Sequence, residues 1–283
     1  MKVGIWGGGI PFYKKRGIDV FAQLEHLKNL GANIYCHIIY KNEDVEQLHQ
    51  LLDTLEAPFW STLKNLEVWP VLLPPTENGS EPYGFDWRRW AKVFKALHML
   101  YPRLSAVVID DFNWFNPSET FQNAALDNLR IWRLESQIQY LNAFYEILTS
   151  EGIKFYPVIY ETKLVAEEDR FQAFIDFVKD WVGHAFHFDG MIGPWMNLCS
   201  VEGLQQSLAR VRTAFPKKTL IGMVYASDTS WHRYPPPLPA YIQATKITHD
   251  NSDMLVNYCV PSKGSIFEAT KTIFKKWGDD QRK

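Results

Sequence analysis

The feature that most constrains this chain is an alternation sustained from end to end. Short runs of apolar and β-branched residues take turns with longer segments whose apolar residues recur every three or four positions. The short runs read as strands buried on both faces, the longer ones as amphipathic helices. Strands that each lead into a helix pair in parallel, because parallel neighbours need a crossover. The strands are predicted at Lys2–Trp6, Asn33–Tyr40, Leu66–Leu73, Leu104–Ile109, Lys154–Tyr160, Phe188–Trp195, Thr219–Tyr225 and Met254–Val260. Helices are predicted over Phe21–Leu30, Glu43–Leu55, Trp87–Leu100, a segment running to about Ser150, Glu168–Trp181, Val201–Phe215, Ala240–His249 and the stretch opening at Ser265.

Eight strand–helix pairs match a closed eightfold (β/α) TIM barrel better than an open doubly wound sheet. An open sheet calls for an early Gly-rich phosphate turn. Gly7-Gly8-Gly9 follows the first strand, but Pro11 and the delayed helix spoil the required spacing. No linker, low-complexity run or shift in composition divides residues 1–283, so one barrel domain is expected.

With 283 residues, 46% of them hydrophobic, the chain can bury a large core. Thirty basic residues against thirty-two acidic ones give a net charge of -2, which offers no field to attract a polyanion and argues against nucleic acid as a partner. No apolar run approaches the ~20 residues that span a bilayer. Cys36, Cys199 and Cys259 are odd in number and widely spaced, unlike a disulfide framework or a zinc motif. Met1–Trp6 is strand-like and lacks a charged leader, so the expected setting is reduced and cytoplasmic.

Barrel enzymes keep their chemistry at the C-terminal ends of the strands. The fourth strand ends on two adjacent carboxylates, Asp110 and Asp111, and Tyr160-Glu161 ends the fifth. These three acids are the candidate catalytic set. Around them the strand ends supply Trp6, Tyr40, Trp114, Tyr160, Trp195, Asn197, Tyr225, Asp228, Asn257 and Tyr258 as candidate substrate-binding residues. Rings that stack on flat sugar faces, beside carboxylates and amides that accept hydroxyl protons, suit a small carbohydrate or an oligosaccharide. His37 is the one histidine placed at a strand end, whereas His184 and His187 precede the sixth strand and lie on the wrong side for the mouth. Lys163 and Lys263 follow strands without the apolar burial that activates a Schiff-base lysine, and Asp189 begins its strand, so its expected role is structural. Pro261–Ser265 opens the last helix, where capping and phosphate binding explain the residues equally well. No cofactor and no resident metal is expected.

The segment Ala106-Val-Val-Ile-Asp110-Asp111-Phe112 resembles the fourth-strand motif of barrel glycoside hydrolases acting on N-acetylhexosamines, the O-GlcNAcase and hyaluronidase-like group. Gly4-Ile-Trp6 with Phe12-Tyr13 is distantly similar to that group's first strand. The resemblance implies that Asp110 orients the substrate acetamide as it attacks the anomeric carbon, and that Asp111 is general acid and then base. No glutamate near Trp6 matches the family's first-strand glutamate.

Two alternatives stand beside a glycoside hydrolase. One is a divalent-metal-dependent sugar isomerase or hydrolase with Asp110, Asp111 and Glu161 as oxygen ligands. The other is a sugar-binding barrel without turnover. Nothing in the sequence indicates an oligomeric state. Adjacent strand residues alternate faces, so Asp110 and Asp111 both reach the mouth only if the strand end is kinked.

Overall fold

A computed structural model describes residues 1–7, 13–14, 17–73, 79–112, 134–159, 172, 175, 187–195, 201–226 and 236–279. Within them, eight strands form one sheet: β1 Lys2–Trp6, β2 Ile34–Ile39, β3 Glu67–Leu72, β4 Ala106–Ile109, β5 Lys154–Pro157, β6 Gly190–Trp195, β7 Thr219–Tyr225 and β8 Met254–Tyr258. Their order is β5-β4-β3-β2-β1-β8-β7-β6, and every neighbouring pair is parallel. Consecutive strands are therefore neighbours, as in an eightfold barrel. A small antiparallel pair, Tyr13–Lys14 with Gly17–Ile18, follows β1.

Among the described residues no ladder joins β5 to β6, and these residues form a curled, barrel-like sheet with one seam at that pair. Asp189 clasps that seam at its lower end. Its N–H donates to Phe155 O at 3.1 Å, and its Oδ2 accepts the Phe155 N–H at 2.9 Å while Oδ1 lies 3.3 Å from Lys154 Nζ.

The helices are α1 Val20–Leu30, α2 Asn42–Leu55, α3 Trp87–Leu100, α4 Leu134–Thr149, α5 Val201–Ala214, α6 Leu238–Asn251 and α7 Ser265–Asp279, with a 3₁₀ turn over Pro58–Leu63. Asp19 caps α1 by accepting the Ala22 N–H, and Gly31 ends it in the left-handed conformation that glycine adopts without strain. Asp86 caps α3 through the Arg89 N–H. The predicted helix Glu168–Trp181 falls largely outside the described residues.

The period of two along each strand sorts side chains into two cores. Outward residues such as Ile5, Tyr35, Ile39, Val107, Val224 and Leu255 pack with the helices. Inward residues, among them Trp6, Cys36, Ile38, Trp69, Val71, Val108, Tyr156, Met223 and Val256, fill the barrel. Gly4 lets β1 and β2 approach, since a Cβ there would sit 2.5 Å from Ile34 Cβ. Below this core, Glu67 pairs with Lys2 and accepts the Ser105 hydroxyl at 2.9 Å, and the Trp69 indole N–H reaches Ser105 Oγ at 3.1 Å. The lower end is thus plugged by polar side chains that satisfy one another.

Candidate active site

At the end of β4 the ladder takes in one residue too many. Val158 N donates to Ile109 O at 2.9 Å, and in a regular parallel ladder Val158 O would then accept from residue 111. It accepts instead from Phe112 N at 2.8 Å. Asp110 and Asp111 together occupy the place of one residue, which is a β-bulge, and Asp111 takes up the extra length at φ 45°. Ile109 and Phe112 both belong to the outward core, and Phe112 is fully buried against Phe155 at a ring separation of 6.3 Å. Asp110 still belongs to the strand, since its N–H donates to Leu72 O at 2.9 Å, and its Oδ1 accepts the Asp111 N–H at 2.9 Å. The bulge kinks the strand end at the two adjacent carboxylates. Both residues are half-buried.

Aromatic side chains from three other strands face the barrel interior. Tyr225 and Tyr258 are stacked at 4.5 Å and 27°, and the Trp6 ring lies 6.4 Å from Tyr258. The pairing registers Trp6 with Tyr258 and Tyr258 with Tyr225, so the three inward rings come from neighbouring strands. Burial pushes the Tyr258 phenol well above its ordinary pKa, helped by nearby Cys259, Tyr225, Asp110 and Tyr40. Burial likewise raises the Cys36 thiol, with the Asp110 charge adding to it. These mutual effects put Asp110 in one electrostatic neighbourhood with Cys36 and Tyr258, inside the barrel. Trp6 is fully buried, and its indole N–H has no hydrogen-bond partner among the described residues.

Cys259, after β8, is the other non-glycine residue with positive φ among those described, at 52°. Its N–H donates to Trp6 O at 2.9 Å, and burial raises its thiol to about 12. Both left-handed non-glycine residues thus sit at strand ends on the mouth side, where backbone strain is held in place by surrounding structure.

The rim over β2 and β3 is built by the segment that follows β3. Ser80, 1% exposed, donates to Ile39 O at 2.6 Å and accepts the Leu73 N–H at 2.8 Å, tying the two strand ends together. Glu81 N donates to Tyr40 O at 3.2 Å. Phe85 lies so close over Gly79 that a Cβ there would meet its ring at 2.5 Å.

The remaining predicted residues divide three ways. Asn257 does not face the mouth. Its neighbour in register is Ile5, an outward residue, and Asn257 is buried against α6 and α7, where its Nδ2 donates to Tyr241 OH and that hydroxyl contacts Thr270 Oγ1 at 2.6 Å. Since Tyr258 faces in, the preceding residue has to face out. His37 fails for the same reason: it alternates with inward Cys36 and Ile38, and its Nε2 donates to Asp44 O at 2.8 Å. Glu161, Trp114, Tyr160, Asn197 and Asp228 lie outside the described residues, and Trp195 ends β6 with its backbone alone described. Among the described residues no group of three or more His, Cys, Asp or Glu side chains could hold a metal ion, and no helix is long and apolar enough to cross a membrane. The bulge, the left-handed Cys259 and the Ser80 tie were not anticipated from the sequence; the pairing of Phe112 rather than Asp111 with Val158 leaves no compositional mark.

No family model matches the chain, and no curated protein matches it in sequence. Solved structures do. It is similar to β-glucuronidase 2 of Bacteroides uniformis, with a TM-score of 0.58 and 13% identity over 92% of this chain and 30% of that one. It is similar to a GH18 chitinase of Pseudoalteromonas aurantia, with a TM-score of 0.57 and 10% identity over 97% of this chain and 99% of that one. A β-galactosidase of the psychrophilic Marinomonas ef1 gives a TM-score of 0.59 and 9% identity over 98% and 60%. The chain therefore spans under a third of the glucuronidase and about three-fifths of the galactosidase. Most of the similar structures are glycoside hydrolases, and a dehydratase is among the others. At such identities the likeness establishes a TIM-barrel-like fold.

Proposed function

We propose that this chain is a glycoside hydrolase working at the upper mouth of the barrel, with N-acetylhexosamine-containing glycans as its substrates. The observation that supports the reading is the bulge, where Asp110 and Asp111 take the place of one residue at a strand end whose Asp110 lies in the electrostatic neighbourhood of Tyr258. Bulges recur at barrel rims next to active sites because they re-aim side chains. The fold is one that glycosidases share most often among the similar structures.

In this reading Asp111 protonates the leaving oxygen and then deprotonates water. Asp110 holds the substrate acetamide as it attacks the anomeric carbon. Glu161 supplies a third carboxylate, and Trp6, Tyr40, Tyr225 and Tyr258 are proposed to line the sugar together with Trp114, Tyr160, Trp195, Asn197 and Asp228. Tyr258, held neutral by burial, is a hydrogen-bond donor throughout the working pH range.

The test is turnover of a panel of aryl glycosides, including N-acetylglucosaminides, N-acetylgalactosaminides, glucosides and galactosides. Release from N-acetylhexosaminides that collapses in Asp111→Asn supports the reading. Release confined to sugars without the acetamide would remove the substrate assignment and keep the hydrolase. No release from any member would remove both.

A further inference from the structure

A lone exposed ring on a protein surface needs no explanation. Tyr40 differs in how its backbone is held. Its side chain is 43% exposed, yet four successive backbone groups around it are fixed by other parts of the chain. Ile39 O accepts the Ser80 hydroxyl at 2.6 Å, Tyr40 N and Lys41 N both donate to Asp44 Oδ2 at 2.8 Å, and Tyr40 O accepts Glu81 N–H at 3.2 Å. Ser80 is itself buried and also bonded to Leu73 N, so the rim strip cannot drift away from the strand ends. Tyr40 keeps the parity of inward Cys36 and Ile38 at the end of β2, which puts it on the mouth side, and its phenol adds to the upward push on Tyr258. A ring with two rotatable bonds on a fixed backbone gives contact area at little entropic cost to a ligand.

We propose that Tyr40 is a stacking platform for a second sugar unit at the outer rim, so that the ligand is an oligosaccharide chain running from the inner rings across the β2–β3 edge rather than a single sugar. This rests on the carbohydrate reading of the mouth given above. The half-buried Tyr258 ring contacts one unit, and the next leaves the mouth over Tyr40, whose flat face meets a sugar's apolar face. Rim and floor then act together, and affinity rises with chain length until both are covered.

The experiment is calorimetric titration of the whole chain with two series, N-acetylglucosamine, its β-1,4 dimer and its tetramer, and glucose, cellobiose and cellotetraose. In the series that binds, the tetramer is expected to exceed the monomer in affinity by about threefold to tenfold, the range one aromatic stacking contact supplies. Tyr40→Ala is expected to abolish that gain and Tyr40→Trp to retain it, with the fold of both checked by circular dichroism. Ser80→Ala, which frees the strip beneath the ring, should reduce the gain partway. Equal affinity for monomer and tetramer, a gain that survives in Tyr40→Ala, or no binding of either tetramer would overturn the proposal. Aryl glycosides carry a single sugar, so their turnover tests the hydrolase reading separately.

Discussion

Acid should loosen the β8 side of the mouth through one residue, His26. It lies on α1, almost fully buried, with its ring stacked on Phe267 at 5.8 Å. Val260 O can only accept a hydrogen bond, so the contact of 3.1 Å requires His26 Nε2 to carry the proton. That bond pins the chain as it leaves β8, two residues past Tyr258. Burial lowers the His26 pKa from 6.5 to about 4, against the smaller opposing effect of the Val260 bond. Between those values the unfolded chain binds a proton that the folded chain refuses, so stability is complete above pH 6.5 and falls as pH drops toward 4. The gap between 6.5 and about 4, at about 1.4 kcal/mol per pH unit, amounts to about 3 kcal/mol, of which about 2 kcal/mol is already lost at pH 5. Urea unfolding of the wild type and of His26→Gln at pH 7.5 and 5.0 measures this, since glutamine can keep a donor toward Val260 and does not titrate. The wild type should lose about 2 kcal/mol more than the variant between the two pH values. Equal losses would refute the assignment of the acid sensitivity to His26.

The other consequences concern the scaffold. Asp189→Ala removes the acceptor of Phe155 N–H at the seam and should cost about 1–3 kcal/mol in urea unfolding, whereas Asp189→Asn, which keeps an oxygen there, should cost less. Equal costs for the two would dismiss the clasp. Gly222 faces α6 so closely that a Cβ would fall 1.9 Å from Thr248 Cγ2. Gly222→Ala should therefore lower stability by about 1–3 kcal/mol, and adding Thr248→Ser, which removes that methyl, should recover part of it; strictly additive effects would contradict the direct clash.

The fold was legible because parallel strands buried on both faces leave a strong compositional trace. β1 and β7 run over the predicted residues, and the other strands differ from expectation at their ends by a few residues. Strand direction and order followed from the alternation alone, but the seam between β5 and β6 did not, since nothing in either strand says how its edge is met. Part of the mouth was legible from position: Trp6, Tyr225 and Tyr258 end their strands on the inward face. Asn257 and His37 stand near strand ends yet face outward, because the period of two counted from inward Tyr258 and Cys36 turns both away from the mouth. The bulge lies beyond such counting. A strand with one extra residue reads like a strand one residue longer, and only the partner of Val158 O reveals the difference. The role of Ser80 depends on a contact with Ile39, 41 residues away, which no local pattern encodes.

In the proposed function Asp111, in the bulge at the end of β4, is the general acid and then the base at the glycosidic bond. The most direct measurement is the steady-state rate of Asp111→Asn on the best aryl glycoside of the wild type. Asparagine tolerates the left-handed backbone found at this position, so the substitution changes the acid without imposing strain. If Asp111 is the acid, kcat/KM falls by about 10²–10⁴ with the fold intact by circular dichroism. A rate equal to that of the wild type would contradict it.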